Sequence, residues 1–134
     1  MKKNISVIAL SLATVFAASA QMNVVKEAER AMKAGKPAAE VVNMMKPAQT
    51  NSETSGLAQT WYVPGKASFN EYDKLLGLKQ FNQIKPEDNL RMGDLLIQGY
   101  EYYIKALPLD TVTDAKGKVK TKYSKDLSLI HISE

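Results

Sequence analysis

The chain of 134 residues contains no cysteine and one histidine, His131. Without cysteine it has no disulfide framework, no thiolate metal site and no thiol nucleophile. The imidazole, which most readily serves acid–base chemistry near neutral pH, occurs only once. There is also no Gly-rich phosphate loop, no HExxH motif and no serine nucleophile elbow. These absences predict a protein that is not an enzyme and that holds neither a metal nor a cofactor.

Long apolar runs are missing as well, and the longest apolar segment lies at the N-terminus. It runs from Ile5 to Ala17, about 13 residues where a bilayer span needs roughly 20. The basic start "MKKN" precedes it, and the small residues "ASA" end it at Ala20. This order is typical of a cleaved signal peptide covering residues 1–20. We therefore expect an exported chain, periplasmic or envelope-associated, with no membrane span after cleavage.

The last eight residues, "LSLIHISE", resemble the translation of a transposon-end sequencing adapter, CTG TCT CTT ATA CAC ATC TCC GAG. On this interpretation residues 127–134 are a processing scar, the natural sequence is cut near Asp126, and His131 has no function. The alternative is a terminal β-strand, which the alternation of Leu, Ile and Ile also permits. We favour the adapter because eight consecutive residues match.

Apart from Lys2 and Lys3 at the start of the chain, the excess of positive charge is confined to one segment. Residues 21–113 carry as many acidic as basic side chains, whereas lysines outnumber aspartates in "DAKGKVKTKYSKD". With no arginine and one aromatic residue, this segment lacks the groups typical of nucleic-acid sites. We expect residues 111–126 to form a solvated lysine-rich linker, since charge runs usually face solvent. Contact with an anionic surface is the alternative, through Lys116, Lys118, Lys120 and Lys122.

Residues 21–110 predict an all-α fold of antiparallel helical hairpins. In "NVVKEAERAMKAGKP" the apolar residues recur at helical spacing, Gly35 is suited to close a helix, and Pro37 to begin the next. The second helix is expected to end before Pro47. Its methionines are interpreted as core residues because Met fills apolar gaps far more often than it binds metal. The apolar residues predicted to pack between these first two helices are Val24, Val25, Ala28, Ala31, Met32, Val41, Val42, Met44 and Met45.

Two further helices are predicted. In "LAQTWYVPGKASFNEYDKLLG" we expect Trp61 to anchor a core and Pro64 to kink the helix, the alternative being that a new helix starts at Pro64. A loop separates this segment from "PEDNLRMGDLLIQGYEYYIKALPLD", which begins at Pro86 and stops at Pro108. The apolar stripe predicted for this last helix consists of Leu90, Leu96, Tyr100, Tyr103, Ile104 and Leu107.

The segment "GYEYYIKALPLD" resembles the second helix of a tetratricopeptide repeat, with small residues at Gly99 and Ala106 and a large aromatic at Tyr103. The segment "WYVPG" resembles the opening of the partner helix. Trp61 stands where the repeat has a large residue, and Gly65 where it has a small one. Two departures are the proline before Gly65 and the 42 residues between Trp61 and Tyr103, where the repeat has 20. Longer helices or an insertion would account for that distance.

The whole arrangement is similar to the N-terminal part of exported tetratricopeptide-repeat proteins of Bacteroidetes. The resemblance implies the start of an α-solenoid behind a signal-peptide helix, a lysine-rich link to a further helical unit, and a non-catalytic scaffold that holds a protein or peptide partner. The composition of the lysine-rich segment, and not the resemblance, predicts no nucleic-acid binding. The alternative function is an envelope-surface binder that uses the four alternating lysines on anionic glycan or lipid.

Overall fold

The computed structural model describes residues 20–128, which are mostly helical, as the sequence predicts. The predicted signal segment up to residue 19, and residues 129–134 with His131, lie outside the described part. The elements are α1 (residues 20–33), α2 (Ala38–Thr50), α3 (Ala58–Gln80), α4 (Pro86–Ala106), a 3₁₀ turn (Leu107–Leu109), β1 (Val112–Thr113), β2 (Val119–Lys120) and α5 (Ser124–Leu127).

A glycine closes α1 and turns the chain into α2. Gly35 has φ +78°, a left-handed conformation that residues with a Cβ adopt at a cost. The Lys36 N–H donates to the Ala31 carbonyl at 3.1 Å and the Gly35 N–H to the Met32 carbonyl at 3.0 Å. These two bonds satisfy carbonyls that the helix end would leave unpaired. The predicted hairpin is therefore present.

The predicted end of α2 before Pro47 is wrong, because the helix continues to Thr50 with Pro47 inside it. Pro47 lies on the exposed side of the helix, where the carbonyl deprived of its N–H partner remains accessible to water. One residue later, Ala48 is fully buried. Burial of Ala48 contributes free energy that helps to offset the lost hydrogen bond.

Helix α3 runs without interruption from Ala58 to Gln80, through Pro64. The alternative in which a new helix starts at Pro64 is therefore wrong. Pro64 is itself buried, and its carbonyl accepts a hydrogen bond from the Ser68 hydroxyl at 2.8 Å. The helix ends at a left-handed Asn82, φ 56°, with the Gln83 N–H donating to the Leu78 carbonyl at 2.9 Å.

The buried face of α4 differs from the predicted stripe. Leu90, Leu96 and Ile104 are exposed, with 79%, 38% and 44% of their surface accessible. Of the predicted stripe only Tyr103 is fully buried. The sequence pattern did not separate the faces because apolar residues occupy two opposite sides of this helix. The residues that face the core are Met92, Leu95, Gly99, Tyr103 and Ala106.

The lysine-rich segment folds into a short antiparallel hairpin rather than an open loop. Val112 pairs with Lys120 and Thr113 with Val119, and Gly117 takes φ +76° in the turn. The chain then enters α5, where Leu127 is fully buried in the core. The adapter interpretation excluded residue 127 from the fold, whereas the structure uses it as a packing residue.

The core lies between α3 and its neighbours. Helix α4 packs along α3 over most of its length, and α2 packs on α3 from another side. The largest fully buried side chains include Tyr103, Met45, Leu127, Val25, Val41 and Val63. Within residues 20–128, no helix is both long enough and apolar enough to cross a bilayer.

Candidate interaction site

Two glycines and two aromatic rings connect α3 to α4 in a reciprocal arrangement. A Cβ on Gly65 of α3 would lie 2.6 Å from Cδ1 and 2.8 Å from Cε1 of Tyr103 on α4. A Cβ on Gly99 of α4 would lie 2.8 Å from Cε2 of Phe69 on α3. All three distances are shorter than non-bonded carbon atoms tolerate. Each helix therefore uses a glycine to admit the ring of the other, so the two backbones approach closely.

Tyr103 is the centre of this contact, with only 1% of its surface exposed. Its ring stacks on Tyr62 with a centroid distance of 5.6 Å and meets Phe69 at 4.8 Å in a tilted geometry. Such pairs add to the free energy gained from burial alone. Burial also raises the pKa of the Tyr103 hydroxyl above its ordinary range.

Trp61, the predicted anchor, lies beside this contact instead of inside it. It is partly buried, its indole N–H donates to the Ser55 carbonyl at 2.8 Å, and its ring lies 6.4 Å from that of Tyr102. The Lys105 ammonium lies over the indole at 4.8 Å. Of the residues predicted for packing, the structure brings Gly65 and Tyr103 together, places Gly99 one turn away, and buries Ala106 completely.

The long separation of Trp61 and Tyr103 in sequence results from helix length. Helix α3 has 23 residues and α4 has 21, joined by a short turn. A tetratricopeptide repeat completes both helices in 34 residues. Of the two explanations that the sequence allows, longer helices or an insertion, the structure has longer helices.

A second aromatic group ties α5 to this core. Tyr62 lies between Tyr103 and Tyr123, with a centroid distance of 3.9 Å to the latter. Its hydroxyl donates to Oδ2 of Asp126 at 2.5 Å, and Nζ of Lys66 lies 3.3 Å from the same oxygen. The hydrogen bond from Tyr62 and the charge of Lys66 lower the pKa of the Asp126 carboxyl. Burial, together with that hydrogen bond, raises the pKa of Tyr62.

The hydrogen bond between Tyr62 and Asp126 predicts a pH-dependent contribution to the free energy of unfolding. A carboxyl with a depressed pKa stabilises the fold fully above the unfolded value of about 3.9, and the contribution is lost as the pH falls through the folded pKa. Wild type should therefore be more stable than Asp126→Asn at pH 6, and the difference should shrink below about pH 4. Urea unfolding followed by circular dichroism at both pH values measures it.

The Tyr62→Phe background supplies the control, because it removes the hydroxyl that donates to Asp126. In that background the Asp126→Asn change should produce a smaller pH-dependent difference. If the Asp126→Asn variant differs from wild type by the same free energy of unfolding at about pH 6 and about pH 2.5, the assignment is contradicted.

The lysine-bearing hairpin is held by two aspartates. Asp110 is 3% exposed, and its two carboxylate oxygens accept the backbone N–H groups of Lys122 at 3.0 Å and Tyr123 at 2.9 Å. Asp114 organises the turn by accepting the N–H groups of Lys116 and Lys118 at 2.9 and 3.0 Å. These hydrogen bonds lower the pKa of the Asp114 carboxyl. The hairpin is thus closed at its base and at its tip.

The four lysines predicted to contact an anionic surface are all exposed, three on this hairpin and Lys122 just after it. Two of the four have partners within the chain. Nζ of Lys120 lies 3.4 Å from Asp114, and the ammonium of Lys122 lies 5.3 Å from the Tyr123 ring centroid.

The side of α4 opposite its buried face is also apolar. Leu90, Ile97 and Ile104 follow one another at intervals of seven residues, with 79%, 60% and 44% of their surface exposed. Seven residues is almost two helical turns, so the three side chains form one row. We call this row, with the acidic residues beside it, the outer face of α4. The acidic residues are Glu87, Asp94 and Glu101, all exposed.

Several residues of these sites were missed by sequence reasoning. The signal for Phe69 was present, because "GKASF" and "GYEYY" both place an aromatic ring four residues after a glycine. Tyr62 gave no such signal, since it adjoins the more conspicuous Trp61. Asp110 and Asp126 act through contacts made 12 or more residues away in sequence, and no local pattern reports such contacts.

Among residues 20–128, no three acidic or histidine side chains lie close enough together to hold a metal ion. No family, curated protein or solved structure shows a significant match to this chain.

Proposed function

We propose that this chain is an exported protein–protein interaction scaffold of tetratricopeptide-repeat type, without catalytic activity of its own. The observation that carries the proposal is the reciprocal glycine–aromatic contact between α3 and α4. Two long helices held this closely form a rigid platform, and rigid helical platforms commonly present surfaces to protein or peptide partners. The apolar outer face of α4 gives that platform an unoccupied surface within the described residues.

Export is part of the proposal and rests on the N-terminal sequence "MKKNISVIALSLATVFAASA". Expression in a Gram-negative host followed by fractionation tests it. We expect periplasmic material whose first residue, by mass spectrometry, is Gln21. Cytoplasmic material that retains Met1 would contradict export while leaving the scaffold proposal intact.

The scaffold proposal is tested by affinity capture with the full chain from an envelope extract. We expect one or a few proteins to be enriched over a control column. The control carries Tyr103→Ala, which removes the ring that joins α3 to α4. Recovery of no enriched protein, or of the same proteins from both columns, would count against a folded scaffold.

A second candidate function, binding to anionic glycan or lipid, is favoured by the exposure of all four predicted lysines. Each lysine near an anionic membrane contributes on the order of 1 kcal/mol. On this candidate, glutamine at positions 116, 118, 120 and 122 should reduce sedimentation with phosphatidylglycerol vesicles at least tenfold. The matched control replaces four exposed lysines outside the hairpin: Lys26, Lys36, Lys46 and Lys79. Sedimentation that is unchanged, or reduced equally in both variants, would eliminate this candidate.

A further inference from the structure

The outer face of α4 combines two parallel rows of side chains. Each acidic residue precedes an apolar one by three positions: Glu87 and Leu90, Asp94 and Ile97, Glu101 and Ile104. Residues three apart are neighbours on a helix surface, so the apolar row and the acidic row lie side by side. At 1.5 Å per residue, the apolar row is about 21 Å long.

Two cations of α4, Arg91 and Lys105, contact residues of α3, although Lys105 also lines the same groove as Asp94 and Glu101. The guanidinium of Arg91 binds Glu71 of α3, with its Nη2 at 2.8 Å from both carboxylate oxygens. The ammonium of Lys105 lies over the Trp61 ring of α3. Within residues 20–128, Glu87, Asp94 and Glu101 form no ion pair. The outer face is therefore apolar along one line and negative along the next.

The spacing and the charge together select the kind of partner. Apolar residues at intervals of seven match the side-chain repeat of a second helix packed lengthwise against α4. A negative row beside them favours a partner with Lys or Arg beside its own apolar row. A second copy of α4 facing the first antiparallel would bring the two acidic rows together, which is unfavourable, and an anionic lipid surface would be repelled in the same way.

We propose that the outer face of α4 docks an amphipathic helix of another protein, whose apolar row is flanked by lysine or arginine. The inference rests on the proposed scaffold function and names the chemistry of its partner. Apolar contact with Leu90, Ile97 and Ile104 supplies affinity, and the acidic row selects the charge of the partner and orients it.

The test uses two synthetic helical peptides of about 18 residues, long enough to cover the row. One has leucines at helical spacing flanked by lysine, and the other is identical except that glutamate replaces lysine. Each is labelled with fluorescein and titrated with the full chain while fluorescence anisotropy is measured. The lysine peptide should bind at least tenfold more tightly than the glutamate peptide, and its affinity should fall as salt is raised, because salt screens exposed charges.

Variants locate the binding surface. Ile97→Ser with Ile104→Ser should weaken binding of the lysine peptide at least tenfold, whereas Val112→Ser with Val119→Ser changes similarly exposed apolar residues on the hairpin and should leave it unchanged. Glutamine at positions 87, 94 and 101 should weaken binding and reduce its salt dependence. The matched charge control places glutamine at the exposed Glu27, Glu40 and Glu53. All substituted residues are exposed, so circular dichroism should show an unchanged fold.

Four results would overturn the inference. The two peptides could bind equally, or binding could survive the α4 variants. The chain could instead self-associate in a way that the α4 variants abolish, or adsorb to anionic vesicles through α4. If affinity capture enriches the same proteins with the Ile97→Ser, Ile104→Ser chain as with wild type, the docking surface is wrong and the scaffold stands. If wild type enriches nothing, the scaffold itself fails.

Discussion

Replacing Tyr103 with alanine should lower the free energy of unfolding by about 3–5 kcal/mol, the range observed when a buried aromatic ring is removed. The ring is almost completely buried, stacks on Tyr62, meets Phe69 and covers Gly65. Removing it leaves a cavity where α3 and α4 approach most closely, and helices on both sides lose contacts together. Urea unfolding followed by circular dichroism measures the change.

The matched control is Phe81→Ala. Phe81 is also aromatic and lies at the end of α3, but 75% of its surface is exposed. Its removal should change the free energy of unfolding by no more than about 0.5 kcal/mol, as for most surface substitutions. Equal losses in the two variants would show that the ring of Tyr103 has no special place in the core.

Adding a single methyl group at Gly65 should destabilise the protein by about 1–3 kcal/mol, although alanine is the better helix former. The new Cβ would lie 2.6 Å from the ring of Tyr103 and 3.1 Å from Cβ of Tyr102. Since Tyr103 is enclosed by other aromatic rings, it has no room to move away. Gly99→Ala should cost less, because the Phe69 ring that it meets is only partly buried.

Gly77→Ala in the same helix should have the opposite sign. A Cβ there meets nothing within 4 Å, so only the gain in helix propensity remains, roughly 0.5–1 kcal/mol. A double-mutant cycle sharpens the comparison: in the Tyr103→Ala background, Gly65→Ala should cost much less than in the otherwise unchanged chain, because only the contact with Cβ of Tyr102 at 3.1 Å remains. If Gly65→Ala stabilises the otherwise unchanged chain as Gly77→Ala does, the contact between Gly65 and Tyr103 is refuted.

The backbone preferences of glycine and proline were sufficient to predict a helix boundary where one residue determines it. Gly35 and Pro37 predicted the turn between α1 and α2, and Pro86 predicted the start of α4, because these residues restrict φ directly. The same preferences were less reliable at Pro47 and Pro64. Both prolines lie inside helices, since burial of the residues around them outweighs one missing hydrogen bond.

The faces of α4 could not be assigned from its sequence alone. Leucine and isoleucine occur on both sides of the helix, and only the position of α3 decides which side is covered. Gly99 marks the covered face, but the sequence does not distinguish it from Gly93, which lies in the same helix and has nothing within 4 Å of its Cβ position. The hairpin of residues 112–120 was missed because strands of two residues leave almost no alternating pattern to read.

The reciprocal contact between α3 and α4 also restricts how the two helices move. Each helix carries its glycine four residues before its aromatic ring, and the two helices run antiparallel. Gly65 therefore meets Tyr103, and one turn away Phe69 meets Gly99. Two such points of contact oppose sliding of one helix along the other and rotation of either helix about its axis. A force on the exposed side of α4 would therefore displace α3 and α4 as one rigid body. The connections of this pair to α2 and to the hairpin would absorb the movement.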